Sequence, residues 1–214
     1  MTKLFRIALL TFLAGTFPLS ARAASISIAS SSSSSFDIYW SLLANGTQLS
    51  AVGAFDVTVA DGYAEFAVTL TNNTVASANE RVHALGFNSD PNGKSLSMLD
   101  SGDYFQALGL DQRFAGYQTI DICAWSSNQC AGGAQGSNLP GGGGSDSFAF
   151  RLLGDFSSGI TLSNFVAKFQ GDLGSYEFGG TTDRPTSTPE PSSVILLLTG
   201  AAAVLIRTRR RRPA

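Results

Sequence analysis

One histidine, His83, serves the whole 214-residue chain. Nucleophilic hydrolysis needs a base beside its nucleophile, so this residue bounds that chemistry. It stands in Val82-His83-Ala84-Leu85, a setting that reads as a strand residue at a sheet surface or edge. No Gly-x-Ser-x-Gly is present; Gly143-Gly144-Ser145-Asp146-Ser147 comes near and ends in serine. Gly141 to Gly144 has no lysine beside it, so it is no phosphate loop. Asn88-Ser89-Asp90-Pro91-Asn92-Gly93 sets oxygen side chains at alternate positions before a glycine, as a calcium loop does. Only Asp90 among them is charged, Pro91 interrupts the turn, and the twelfth position is Leu99. An Asx/Pro turn is therefore the first reading and a calcium site at Asn88, Asp90 and Asn92, near Asp100 and Asp103, the second. Which carboxylates pair as glycoside hydrolysis requires is decided by the fold and not by their order. Tyr39, Trp40 and Trp125 are the candidates for a carbohydrate-binding face. No catalytic residue, metal or cofactor is expected from this inventory.

Trp125 follows Cys123 by two residues and reads as packing over a disulfide. Cys123 and Cys130 are the only cysteines, and in an exported chain such a pair is expected to be oxidised. The closed loop is short, so the bond contributes at most about 2–3 kcal/mol. Zinc needs four ligands and the usual two-residue cysteine spacing, whereas here six residues intervene and the histidine is distant.

The elements that must carry these side chains are strands. Phe55, Val57 and Val59 alternate, as do Ala64, Phe66, Val68 and Leu70, and Asp61-Gly62 between them is a hairpin signal. Further strands are expected at 36–40, 82–87, 104–110, 117–125, 148–153, 160–162 and 165–169, with a short edge strand at Ile26 and Ile28. Residues 88–93 and the glycine-rich 132–147 read as loops. Eight to ten short strands without helical periodicity suit an antiparallel β-sandwich or jelly roll. The 15 phenylalanines, many at alternating positions, are core.

Both ends are directed at a membrane. Lys3 and Arg6 precede the apolar stretch from Ile7 to Leu19, and Ala21-Arg22-Ala23 fits signal peptidase cleavage before Ala24. At the other end Pro189-Glu190-Pro191 precedes an uncharged stretch, Ser192 to Ile206, closed by Arg207, Arg209, Arg210, Arg211 and Arg212. Fifteen helical residues span about 22 Å against a hydrocarbon core of about 30 Å. Snorkelling arginines extend that reach and set the C-terminus on the cytoplasmic side. The expected organisation is a signal peptide at 1–23, a Ser-rich segment at 24–35, a β-sandwich at 36–180, a linker at 181–188 and a tail at 189–214. Between Ala24 and Thr188 six basic residues face fifteen acidic ones, a charge of −9 where the whole chain has −2. Nucleic-acid binding, which leans on basic patches, is excluded on that balance.

The order and spacing of the tail resemble the PEP-CTERM sorting signal of Gram-negative, exopolysaccharide-producing bacteria. The resemblance implies recognition of Pro189-Glu190-Pro191 by an exosortase and removal of the tail after transient anchoring in the inner membrane. It implies a destination at the cell surface or in an extracellular matrix, with exopolysaccharide and biofilm as the setting. The run from Gly159 to Gly171 is similar to the Phe/Lys/Phe/Gln strand found before such tails. Cys123-Ala124-Trp125 to Cys130 with the glycine-rich loop resembles the subgroup called cistern. The expected function is that of a non-enzymatic surface or matrix protein, with a carbohydrate-binding module and a secreted glycan-active enzyme as alternatives.

Overall fold

The computed structural model describes residues 24–184 except Ala115, Gln118 and residues 134–136. The alternation of apolar residues turns into strands from the first described residues onward. β1 (Ser25–Ile28) leads through a turn to β2 (Ser32–Ala44), β3 (Thr47–Ala60) and β4 (Tyr63–Asn72). These last three form a meander with unbroken register, Phe36 opposite Phe55 and Phe55 opposite Val68. Asn45-Gly46 joins β2 to β3 with φ of 49° and 80°, the positive values that a two-residue hairpin turn demands. Asp61-Gly62 joins β3 to β4 as expected.

Seven strands follow, here β5 (Arg81–Asp90), β6 (Ser95–Asp100), β7 (Ala107–Arg113), β8 (Thr119–Trp125), β9 (Gly144–Leu153), β10 (Ile160–Gly171) and β11 (Gly174–Gly179). They assemble into a five-stranded sheet, β2-β3-β4-β9-β6, and a six-stranded sheet, β1-β10-β5-β8-β7, with β11 also paired to β10. All pairings are antiparallel, and β4–β9 encloses β5–β8 in sequence. Nested pairs of this kind wind a long hairpin into a jelly roll; β6 and β7, at its tip, lie in opposite sheets. The sheets face each other through phenylalanines: Phe55 lies 5.5 Å from Phe165, and Phe87 lies 5.5 Å from Phe66. Trp40, 1% exposed, belongs to the same core.

Several expectations at the level of elements are corrected. The serines at 32–35, expected as a Ser-rich segment ahead of the sandwich, are strand, because each sits opposite a β3 partner from Val59 to Asp56. Ser33 and Ser35 bond to Thr58 and Asp56 side chains across that ladder. The sandwich therefore begins near residue 24 instead of 36. β5 runs extended through Asp90 where a loop is expected, and β9 starts at Gly144 inside the glycine-rich stretch. The strand expected at 104–110 is displaced to β7. The two strands expected at 160–162 and 165–169 are one, β10, with an irregularity between Ser163 and Val166. β6 and β11 are strands that the sequence does not announce. Thr181, placed in the linker, forms a bridge to Tyr39.

Candidate functional sites

The outer face of the six-stranded sheet carries the most elaborate polar cluster. β5 and β10 are buried on both faces along much of their length, because residues 126–133 and 137–139 fold over them. The disulfide Cys123–Cys130 starts this cover at the end of β8. Beneath it Ala84, Phe114, Ile120, Val166 and the two cysteines form a small second core on which Trp125 packs. His83 is 0% exposed. Its Nε2 donates to the Gln129 carbonyl at 2.9 Å, and its Nδ1 lies 3.2 Å from Asn138 Oδ1. Ser126 and Ser127 donate to the same Asn138 oxygen at 2.7 and 3.2 Å. Lys168, 3% exposed, donates to the Ala131 carbonyl at 2.9 Å and pairs with Glu177 at 3.4 Å.

His83 is therefore neither at a surface nor at an edge. Its strand is flanked by β10 and β8, its Nε2 is engaged by a loop carbonyl, and solvent is excluded. It fastens a loop, as Lys168 does. Spacing suggested nothing about Lys168 or Asn138, since their partners are loop carbonyls and strand residues far away in sequence.

The carboxylates are spread over separate structural tasks. Asp146, from the near-match to a nucleophile elbow, accepts backbone N–H bonds from Asp103, Tyr104 and Phe105 at 2.8, 3.0 and 2.7 Å. It holds the loop between β6 and β7. Glu80, fully buried, accepts the Leu173 N–H at 2.6 Å through Oε1, and its Oε2 has no partner. Burial pushes its carboxyl above the usual range; the Leu173 bond opposes this and the Asp172 charge adds to it. Glu65 pairs with Arg151, whose guanidinium lies 4.6 Å from the Tyr63 ring centroid. Asp37 accepts the Tyr39 hydroxyl at 2.9 Å, a bond that raises the tyrosine's pKa. Two open hollows, one around Pro91 and Gly159 and one around Tyr117 and Thr119, carry one carboxyl each, Asp90 and Asp111. Neither holds the carboxyl pair that glycoside hydrolysis uses.

For the calcium reading, Asn88 and Asp90 lie along an extended strand and are not wound around a point. Asn88 Oδ1 accepts the Asp121 N–H at 3.2 Å, tying β5 to β8. Among the described residues no group of three or more His, Cys, Asp or Glu side chains is placed to hold a metal ion. Of the aromatic candidates, Trp40 is core and Trp125 packs over the disulfide, which leaves Tyr39 partly exposed on the outer face of the five-stranded sheet.

The chain leaves the domain through a strap. After β11, Gly180 donates to the Phe165 carbonyl at 2.7 Å in one sheet, and Thr181 exchanges bonds of 2.9 and 2.8 Å with Tyr39 in the other. A Cβ at position 180 would collide with Ile38 and come within 2.8 Å of Trp40 Nε1, so glycine permits this close crossing. Residues Ala21 and Ala23 at the expected signal peptidase site lie outside the described residues. So do Pro189, Glu190, Pro191, the 192–206 segment, Arg207 and Arg209 to Arg212. No helix among the described residues is long and apolar enough to cross a membrane.

No curated protein and no solved structure matches the chain. A family model described as the PEP-CTERM protein-sorting motif matches residues 187–211. The chain thus carries a PEP-CTERM sorting motif, which marks an exported substrate of an exosortase. The match does not reach the cysteine pair.

Proposed function

We propose that the exported domain is a non-enzymatic component of the cell surface or extracellular matrix, delivered by the sorting motif and freed of its tail by exosortase cleavage. The match at 187–211 carries the reading. Three features of the domain support it. A folded β-sandwich ends in a strap fixed to both sheets, so a stable body precedes the processed segment. His83 and the buried carboxylates are committed to holding loops. The domain between residues 24 and 188 is strongly acidic, with fifteen acidic residues against six basic ones, which favours solubility once it is released.

Carbohydrate binding within the exopolysaccharide is the second reading. It is favoured by the outer face of the five-stranded sheet, where Thr69–Ser147 and Thr71–Ser145 hydroxyl pairs at 2.8 and 3.1 Å offer rows of donors and acceptors.

Intact-mass analysis of the protein recovered from its native host tests both levels. Termini near Ala24 and near Pro189-Glu190-Pro191 are expected. A mature product that still ends at Ala214 would overturn processing. Co-sedimentation of the same material with the host's polysaccharide separates the readings: retention supports the second, and none leaves the domain a non-binding surface component.

A further inference from the structure

β2 is the edge strand of the five-stranded sheet and runs for 13 residues. An edge strand presents a row of N–H and C=O groups to any strand that can reach it. The edge of β2 already takes one: Tyr39 exchanges two backbone bonds with Thr181 on the side away from β3. Backbone groups alternate sides along a strand, and the register with β3 is unbroken from Ser32 to Ala44. Ser33, Ser35 and Asp37 therefore point their backbone groups outward as Tyr39 does, with exposed side chains.

We propose that residues 33–37 pair antiparallel with the same segment of a second copy of the chain, about a two-fold axis at Ser35. Occupancy and charge select the register. With Ser35 opposite Ser35, Ser33 faces the partner's Asp37, a hydroxyl against a carboxylate, and all three outward residues exchange both N–H···O bonds. A centre at Asp37 opposes two carboxylates and runs the ladder into Tyr39, which Thr181 holds. A centre at Ser33 runs it into Ser31, whose φ of 55° lies outside strand geometry. The chosen register also lays the partner's Ser34 beside the half-buried Phe36. The two five-stranded sheets become one continuous sheet, closed by symmetry so that growth stops at two copies.

Sedimentation velocity on the exported protein is expected to show a monomer–dimer equilibrium. The dimer fraction rises with salt, because each copy carries fifteen acidic residues against six basic ones between residues 24 and 188. Ser35→Pro deletes the central outward N–H without touching a β2–β3 bond, a position where an edge strand tolerates proline. It should raise the dissociation constant at least about tenfold with the circular dichroism spectrum unchanged, while Ser35→Ala, which also loses the hydroxyl bond to Asp56, stays dimeric. Ser35→Cys should yield a covalent dimer on mild oxidation, and Ser33→Cys none. A monomer at every concentration with uncrosslinked S35C overturns the proposal, and so does a dimer that S35P leaves intact or that S33C crosslinks.

Discussion

Glu80 is a carboxyl without solvent, holding one N–H and leaving its second oxygen unpartnered. Burial raises its pKa, so the folded chain binds this proton more tightly than the unfolded chain does. Its contribution to stability is fully present below the ordinary glutamate value, about 4.3, and is lost as pH rises through the folded value. Glu80→Gln keeps an acceptor for Leu173 and removes the charge. Thermal melts at neutral pH should show the variant more stable than the wild type, with the difference vanishing toward pH 4. A variant less stable at every pH would mean that the carboxylate is compensated by something other than Leu173. Nothing in the sequence marks Glu80, because Asn79-Glu80-Arg81 reads as an exposed polar turn. The same blindness applies to Asp146, legible only as part of a failed Gly-x-Ser-x-Gly. The calcium reading of Asn88 and Asp90 rested on alternate spacing, which a strand produces as readily as a loop does.

At the scale of elements, legibility follows side-chain contrast. β3 and β4 alternate apolar and polar residues facing core and water, and their hairpin is where the pattern places it. β5 and β10 lose the alternation because the cover, residues 126–133 and 137–139, buries their outer face too. β2 hides its first residues because serine serves either a loop or a strand, and the hydroxyl pairs with Thr58 and Asp56 decide only in three dimensions. The cover itself is the element whose removal is most informative. It is tied down by the disulfide, by His83, by Lys168 and by the Val82–Leu139 bridge. The two cysteines stand seven positions apart, so loop-closure entropy assigns the bond about 2–3 kcal/mol. The other ties persist without it. Replacing both cysteines by alanine should therefore lower stability by about that amount, roughly 5–10 °C in Tm for a domain of this size. Hydrogen exchange should rise first in residues 126–133 and 137–139 and leave β3 and β4 protected. Uniform loss of protection across the sandwich would show that the cover is integral to the main core.

At the scale of the whole molecule, the chain must be folded and still readable at its end. The sequence conveyed the two-sheet class and the tail, since both are written in local pattern. It did not convey the strap, because the Thr181–Tyr39 bridge joins residues far apart in sequence. That bridge converts the linker into a measured tether. From the pinned Thr181 to Pro189 the chain advances eight residues, and fully extended these reach at most about 26–29 Å. An exosortase acting beside the apolar 192–206 segment must fit within that span, beneath a folded body whose two sheets alone stack about 10 Å apart. Deleting residues 185–188 halves the reach to about 13–14 Å while leaving Thr181, Pro189-Glu190-Pro191 and the arginines in place, although it takes the first two residues of the 187–211 match with it. Unprocessed precursor should then accumulate in the membrane fraction of the host, as read by immunoblot. Replacing the same four residues with Gly-Ser-Gly-Ser restores the length without the sequence and should restore cleavage. If the deletion is processed at the wild-type rate, the strap does not limit access. If the Gly-Ser version also fails, residues 185–188 are read by the enzyme and do not merely span a distance.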